Sequence, residues 1–180
     1  MTIPASAQLM ITGASSGIGR AVALALAAPG RTLHLLGRDD SRLSQIAAAV
    51  RERGSQSQTY SIDLADAPAM DRSVGALADR VAALDVLVHR AGGVALGPVS
   101  TAPVADLDWM LRLNLRAPYL LTQAMLPSLR NARGQVVFIN SGAGLRAKAG
   151  WGQYAATKFG LKALADSLRD EVADEGIRVL

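Results

Sequence analysis

The stretch TGASSGIGRAVALALA, residues 12–27, places three glycines between a short apolar run and a segment of helical period. Gly13, Gly17 and Gly19 have the spacing G-x-x-x-G-x-G, and the preceding run Leu9–Thr12 is predicted to be a strand. A turn this tight needs positive φ or a close backbone approach, both of which glycine tolerates. Bare amides and the dipole at the start of the next helix favour an anion. The strand before and the helix after the loop predict that it binds the pyrophosphate of a dinucleotide.

The alternative for this loop is a glycine-rich turn without a ligand, and the flanking strand and helix favour binding over it. The hydroxyls of Thr12, Ser15 and Ser16 add polar groups beside the glycines. We expect the following loop residues to contact a cofactor: Gly13, Ser15, Ser16, Gly17, Ile18 and Gly19.

The rest of the chain continues the alternation of strand and helix, with glycine and proline at the joins. The predicted strands are Leu9–Thr12, Thr32–Leu36, Gln58–Ser61, Val86–His89 and Gln135–Asn140. The predicted helices are Ile18–Ala28, Ser41–Arg53, Ala67–Ala82, Val104–Leu129 and Gln153–Asp174. This alternation predicts an α/β fold, a doubly wound, three-layer, Rossmann-type parallel sheet. The final GIRVL begins a sixth strand, so we expect one dinucleotide-binding domain over residues 1–180, truncated after the start of that strand.

Composition narrows the function classes. Half of the 180 residues are apolar and there is no cysteine, which excludes disulfides and thiol chemistry and suits a reducing compartment. The net charge is +4 with no basic block, so we expect small anions rather than nucleic acid as ligands. No window resembles a signal peptide or a membrane span. We therefore expect a cytoplasmic protein with no membrane partner and no metal.

The end of the second predicted strand discriminates between cofactors. NAD sites usually have an acidic residue there, which binds the adenosine ribose. The segment HLLGRDD has Gly37 and then Arg38 instead. A guanidinium suits a 2′-phosphate, so we expect NADP(H), with NAD(H) disfavoured. A solvated loop arginine is the alternative, and Asp39 and Asp40 lie nearby.

The motifs TGASSGIG, IDL, RAGG, NL, INSGAG and YAATK resemble, in order and spacing, those of the short-chain dehydrogenase/reductase family. The resemblance covers the chain from Leu9 to Leu180, and the glycine spacing favours the simple reductase branch. It implies hydride transfer between NADP(H) and a small carbonyl compound or secondary alcohol, in a homodimer or homotetramer. The helices that relatives commonly pair across two-fold axes correspond to Val104–Leu129 and Gln153–Asp174.

The resemblance also implies residue roles. Tyr154 is the general acid or base, Lys158 holds the nicotinamide ribose, Ser141 holds the substrate oxygen, and Asn114 anchors a water in a proton relay that ends at Lys158. Asp63 and Leu64 lie against the adenine, and Ala91 and Gly92 line the cofactor cleft.

Physical arguments support these roles independently. Tyr154 and Lys158 lie four residues apart and so share one helix face, where the cation favours the deprotonated phenol. Ser141 follows a strand at its carboxyl end, where ligands of open parallel sheets bind. Pro118 has no N–H for the carbonyl of Asn114, so we expect a gap in the helix there that leaves this carbonyl available to water. The alternative, which is compatible with it, is that Pro118 only kinks a long helix.

Two features depart from the family pattern. His89–Arg90–Ala91–Gly92 stands where the family usually has N-N-A-G, and burial of Arg90 beside the cofactor is costly unless it is paired. Arg90 reaches either a cofactor oxygen or an acidic neighbour, and we expect weakened cofactor binding or stability. The second departure concerns the end of the sequence. Family members continue beyond the position of Leu180 with a segment that completes the substrate pocket, and we expect that segment to be missing here. The alternative to an enzyme is therefore a non-catalytic NADP(H)-binding or oligomerising protein.

Overall fold

A computed structural model describes residues 3–180, which form a six-stranded sheet whose neighbouring strands are all parallel. The strands are β1 (Gln8–Thr12), β2 (Thr32–Gly37), β3 (Gln56–Ser61), β4 (Val86–His89), β5 (Gln135–Phe138) and β6 (Arg178–Val179). Their order across the sheet is β3-β2-β1-β4-β5-β6. The order in which successive strands are added reverses between β1 and β4, and ligands of such sheets bind at that point, beyond the carboxyl ends of the strands.

Helices cover both faces of the sheet. They are α1 (Gly17–Leu26), α2 (Asp40–Arg51), α3 (Ala67–Arg80), α4 (Val104–Leu111), α5 (Ala117–Ala132) and α6 (Gly152–Glu171). Side chains alternate along β1: Leu9 and Ile11 pack with α1 and α2, whereas Met10 belongs to the core formed with α3, α5 and α6. The predicted doubly wound, three-layer fold is confirmed. Within residues 3–180, no helix is both long and apolar enough for a membrane crossing.

The long helix predicted over Val104–Leu129 is interrupted. The five residues Arg112–Arg116 form a π-helical turn, and the N–H of Ala117 donates to the carbonyl of Arg112, five residues back. Pro118 then lies in the first turn of α5 and has no N–H to donate to a carbonyl of the π-helical turn before it. The expected irregularity at Asn114 is present, but as a π-helical turn, a feature that frequently marks functional sites.

The fifth strand is shorter than we predicted. It ends at Phe138 rather than Asn140, and the side chain of Asn140 accepts a hydrogen bond from the N–H of Ser141 (2.9 Å). Ser141 therefore begins a short 3₁₀ turn, Gly142–Gly144, instead of ending the strand. The sixth strand predicted from GIRVL is present and pairs with β5.

Candidate active site

The glycine loop joins β1 to α1 at the point where the strand order reverses. Gly13 and Gly17 have φ of 65° and 49°, in the left-handed region that favours glycine. A Cβ on Gly19 would lie 2.1 Å from the carbonyl oxygen of Gly13, so only glycine lets the helix approach the loop this closely. The predicted turn is confirmed, and it leaves bare backbone at the start of α1.

A cleft of about 570 Å³ opens above this loop. It is lined by Gly13, Ser15, Ser16, Gly37, Arg38, Asp39, Arg42, Ile62, Leu64, Arg90, Ala91, Gly92 and Leu113. The hydroxyl of Ser16, the residue before α1, makes no capping bond, and the first turn of α1 carries no acidic residue. Glycine backbone, free hydroxyls and three guanidinium groups fit a dinucleotide with several phosphates.

The cleft contains one carboxylate, and it is already paired. Asp39 caps α2 by accepting from the N–H of Arg42 (3.0 Å), and its second oxygen lies 3.1 Å from Nε of Arg42. Arg38 and Arg90 make no ion pair with a carboxylate within residues 3–180. Asp39 therefore neutralises Arg42 but not the other two cations of the lining, which suits a 2′-phosphate.

Six of the predicted cofactor residues lie outside the cleft lining: Gly17, Ile18, Gly19, Asp63, Tyr154 and Lys158. Ile18 is 53% exposed, Gly19 packs against the loop backbone, and Asp63 accepts a hydrogen bond from the N–H of Ala65 (2.9 Å). Leu64 does line the cleft, as expected.

Sequence reasoning missed Ile62 and Arg42, which line the cleft beside Leu64 and Arg38. Ile62 directly follows β3, and Arg42 lies three residues after the residue that caps α2. Ile62 could have been found from the fold rule that places ligands at the carboxyl ends of strands, whereas Arg42 lies in the first turn of α2.

Thr12 has a different role from the one we expected. Its hydroxyl accepts from the N–H groups of Arg90 and Ala91 (3.0 Å each) and donates to the carbonyl of Val88 (3.3 Å). The hydroxyl is thus fully used in joining β1 to the exit of β4, and it is not available to a phosphate.

His89 lies in the core beneath the cleft. Its ring stacks on Phe138, with centroids 4.9 Å apart, and Nε2 lies 2.8 Å from the hydroxyl of Thr122. Burial lowers the pKa of His89 to about 3, so the ring is neutral at pH 7. His89 therefore supports the sheet as an uncharged hydrogen-bonding ring.

Lys158 is the most informative candidate catalytic residue. Its side chain is buried, and Nζ donates to the carbonyl of Ile139 (3.1 Å), at the end of β5. Nζ also lies 3.9 Å from the point where a Cβ on Gly92 would lie, which places it beside the cleft wall. Burial, and then the charge of Arg90, lower the pKa of Lys158. No carboxylate pairs with this buried cation within residues 3–180.

The 3₁₀ turn that follows Ser141 packs directly on α6. A Cβ on Gly144 would lie 2.9 Å from the carbonyl oxygen of Lys158, and Nδ2 of Asn140 donates to that same oxygen (3.3 Å). The hydroxyl of Ser141 accepts from the N–H of Ala143 (3.2 Å), which leaves its own hydrogen available to donate.

Tyr154 lies one turn before Lys158 on α6. Its side chain is half-buried, and its ring centroid lies 6.3 Å from that of Trp151. The carbonyl of Tyr154 accepts from the hydroxyl of Thr157 (2.8 Å) within the same turn. The phenol is thus presented from the helix that carries the buried lysine.

Asn114 is buried, and its amide holds the loop after β4. Oδ1 accepts from the N–H of Gly93 (2.8 Å), Nδ2 donates to the carbonyl of Gly93 (2.9 Å), and Nδ2 also donates to Oγ1 of Thr157 (3.0 Å). These bonds connect the cleft wall, the π-helical turn and α6. The side chain of Asn114 therefore positions the elements between which a relay would run.

Comparison with known proteins agrees with this geometry. A family model described as short chain dehydrogenase matches residues 8–180. The Escherichia coli oxidoreductase YciK is 37% identical over 174 residues, covering 91% of this chain and 67% of YciK. This chain therefore spans about two thirds of the length of that relative.

Solved structures agree as well. A short chain dehydrogenase from Shigella flexneri, complexed with NADP, matches with a TM-score of 0.89 and 34% identity, covering 96% of this chain and 74% of that one. A metagenomic short-chain oxidoreductase in complex with NADP matches with a TM-score of 0.88 and 32% identity, covering 97% and 80%.

Proposed function

The chain belongs to the short-chain dehydrogenase family, and on that premise we propose that it is an oxidoreductase that uses NADP(H) to interconvert a small carbonyl compound and a secondary alcohol. When bound, NADP(H) supplies or accepts the hydride. The residues of the chain bind the two reactants and move the proton.

The observation that carries this proposal is the buried, carboxylate-free ammonium of Lys158, one helical turn after Tyr154 and beside the cleft wall at Gly92. A buried cation without a carboxylate is costly, so such a group points to a functional site. Its charge favours the deprotonated phenol, so Tyr154 protonates the substrate oxygen in reduction and accepts the proton in oxidation.

Ser141 and Asn114 complete the proposed machinery. The hydroxyl of Ser141 retains a hydrogen with which to hold the substrate oxygen, as an oxyanion donor would. The Asn114 carbonyl has no N–H from Pro118 and anchors a water on the route to Lys158. The bonds of the Asn114 side chain to Gly93 and Thr157 support this placement.

The preference for NADP(H) over NAD(H) is part of the proposal. Arg38 follows Gly37 at the end of β2, and the one carboxylate in the cleft lining, that of Asp39, is held by Arg42. The pairing of Asp39 with Arg42 removes the nearest source of repulsion for a 2′-phosphate. The NADP complexes of the two matching structures support the same cofactor.

Measurement of NADPH oxidation with a panel of ketones and aldehydes tests the activity, and Tyr154→Phe tests the mechanism. We expect Tyr154→Phe to lower turnover by about 10²–10⁴-fold, because the proton donor is lost, while NADPH affinity is unchanged. Tyr60→Phe, which removes a hydroxyl on β3 that is bonded to Gln58 and lies outside the cleft lining, is the matched control and should retain full activity. NADPH binding without turnover of any carbonyl compound would instead support a non-catalytic binding protein.

We also propose that the protein is a cytoplasmic homodimer or homotetramer. Leu111, Leu115, Tyr119 and Leu164 line a shallow, mostly apolar depression of about 370 Å³ on the face formed by α4, α5 and α6. A second copy related by a two-fold axis would cover this face. The lack of cysteine in the sequence suits a reducing compartment. Light scattering of the purified protein tests the assembly.

A further inference from the structure

We propose that Arg90 is a ligand of the cofactor diphosphate, which it reaches from the wall of the cleft opposite the glycine loop. The inference rests on the proposed dinucleotide function. It assigns a role to the residue that departs most from the family pattern, and a short amide at the same position could not make this contact.

The position of the side chain is the first argument. Nη2 of Arg90 lies 3.0 Å, and Cζ 3.8 Å, from the point where a Cβ on Gly17 would lie. Cδ of Arg90 lies 3.4 Å from the corresponding point on Gly13. The guanidinium therefore extends across the glycine loop to the first residue of α1, where backbone amides favour a phosphate.

The backbone at Arg90 is held in place. Thr12 accepts hydrogen bonds from the N–H groups of Arg90 and Ala91, at 3.0 Å each. These bonds fix the chain as it leaves β4, and so they fix the direction in which the side chain leaves the backbone. The arginine is thus built into the cleft wall, opposite the loop that it crosses.

The charges around Arg90 favour the binding of an anion. Within residues 3–180 no carboxylate pairs with its guanidinium, and the first turn of α1 carries no acidic residue. Its charge also helps to lower the pKa of another cation, Lys158. A half-buried guanidinium between a helix N-terminus and a buried lysine is complementary to a diphosphate, which it can bind bidentately.

Arg38 and Arg90 are placed to contact different phosphate groups of the cofactor. Arg38 lies at the end of β2 and is placed for the 2′-phosphate, whereas Arg90 lies over the glycine loop and is placed for the diphosphate. Fragments of the cofactor can therefore separate the two contacts. ADP carries only the diphosphate, and adenosine 2′-monophosphate carries only the 2′-phosphate.

The test measures binding of NADPH, ADP and adenosine 2′-monophosphate by calorimetry to the full chain and to Arg90→Gln, Arg90→Lys and Arg38→Gln. We expect Arg90→Gln to weaken ADP and NADPH binding by about 10- to 100-fold, the range for a hydrogen bond to a charged group, and to leave adenosine 2′-monophosphate unaffected. Arg38→Gln should give the reverse pattern for the two fragments. Arg90→Lys keeps the positive charge but loses the bidentate hydrogen bonding of the guanidinium, so it should bind ADP with an intermediate affinity.

Arg72→Gln removes the same charge from an exposed position on α3, away from the cleft, and should bind all three ligands as the unaltered protein does. If Arg90→Gln does not fold, as judged by its melting temperature, Arg90→Lys decides: unchanged ADP affinity overturns the inference. It is also overturned if the unaltered protein binds NADPH and Arg90→Gln binds ADP equally well or more tightly, and the proposed function then stands. If the unaltered protein binds no NADPH, the proposed function and this inference fail together.

Discussion

Replacement of His89 by Asn should make the stability of the protein less sensitive to acid. His89 lies in the core under the cleft, with a pKa that burial lowers from 6.5 to about 3. In the unfolded chain the same imidazole titrates near 6.5, so the unfolded state binds more protons between pH 6.5 and about 3. Stability is therefore intact above pH 6.5 and is lost as the pH falls through this window. Asn has no proton to bind, and it is the residue usual for the family at this position.

The size of the effect follows from these pKa values. Each unit of pH between the unfolded and folded pKa corresponds to about 1.4 kcal/mol. Between pH 7.0 and 5.0 the unfolded His89 becomes almost fully protonated, while the folded one stays neutral. The unaltered protein should therefore lose about 2 kcal/mol more unfolding free energy over this interval than His89→Asn.

Urea unfolding at the two pH values, followed by circular dichroism, measures this difference. Loss of the contact between His89 and Thr122 lowers stability at both pH values, so it cancels when the two are subtracted. The carboxylates and His34, whose pKa burial lowers to about 4, are common to both proteins and cancel as well. An identical loss in both proteins between pH 7.0 and 5.0 would refute the burial of a neutral imidazole at this position.

Three further substitutions test the site. Gly19→Ala should abolish NADPH binding and lower the melting temperature, because the added Cβ would lie 2.1 Å from the Gly13 carbonyl oxygen. The control is Gly75→Ala, because a Cβ added there would have no atom within 4 Å, and it should stabilise α3 by about 0.5–1 kcal/mol. Asn114→Ala removes three side-chain hydrogen bonds of a buried residue and should lower the unfolding free energy in urea by about 2–4 kcal/mol. A loss smaller than 1 kcal/mol, roughly one such bond, would contradict the role of this side chain in joining the cleft wall, the π-helical turn and α6. Arg38→Asp should shift the ratio of NADP to NAD affinity towards NAD, and an unchanged ratio would rule out its contact with the 2′-phosphate.

The sequence predicted the elements whose pattern is local. The bounds of β4, Val86–His89, are those predicted, because a short apolar run between turn signals specifies a buried strand. The glycine loop was predicted equally well, because few backbone conformations fit its glycine spacing. The π-helical turn Arg112–Arg116 was not predicted, because the helical periodicity of apolar residues is the same on both sides of a single inserted residue.

The site was harder to predict wherever it depends on the direction of a side chain. The sequence left open whether Arg90 meets a carboxylate or a cofactor oxygen, and the structure places its guanidinium over Gly17, with no carboxylate partner in residues 3–180. The contact of Asp63 with the adenine stays a prediction, and Oδ1 of its carboxylate accepts from the nearby N–H of Ala65. Such competition between local and distant partners is decided only when the chain is folded.

The packing of Trp109 on Gly93 gives the protein an intrinsic optical reporter. A Cβ on Gly93 would lie 2.1 Å from the indole of Trp109, and the second indole in the sequence, that of Trp151, stands beside Tyr154. The two fluorophores therefore border the loops after β4 and after β5, which are joined by a bond from the N–H of Gly97 to the carbonyl of Gly150. Tryptophan fluorescence, excited at the red edge of the protein absorption spectrum, therefore reports on changes at these loops without any attached dye.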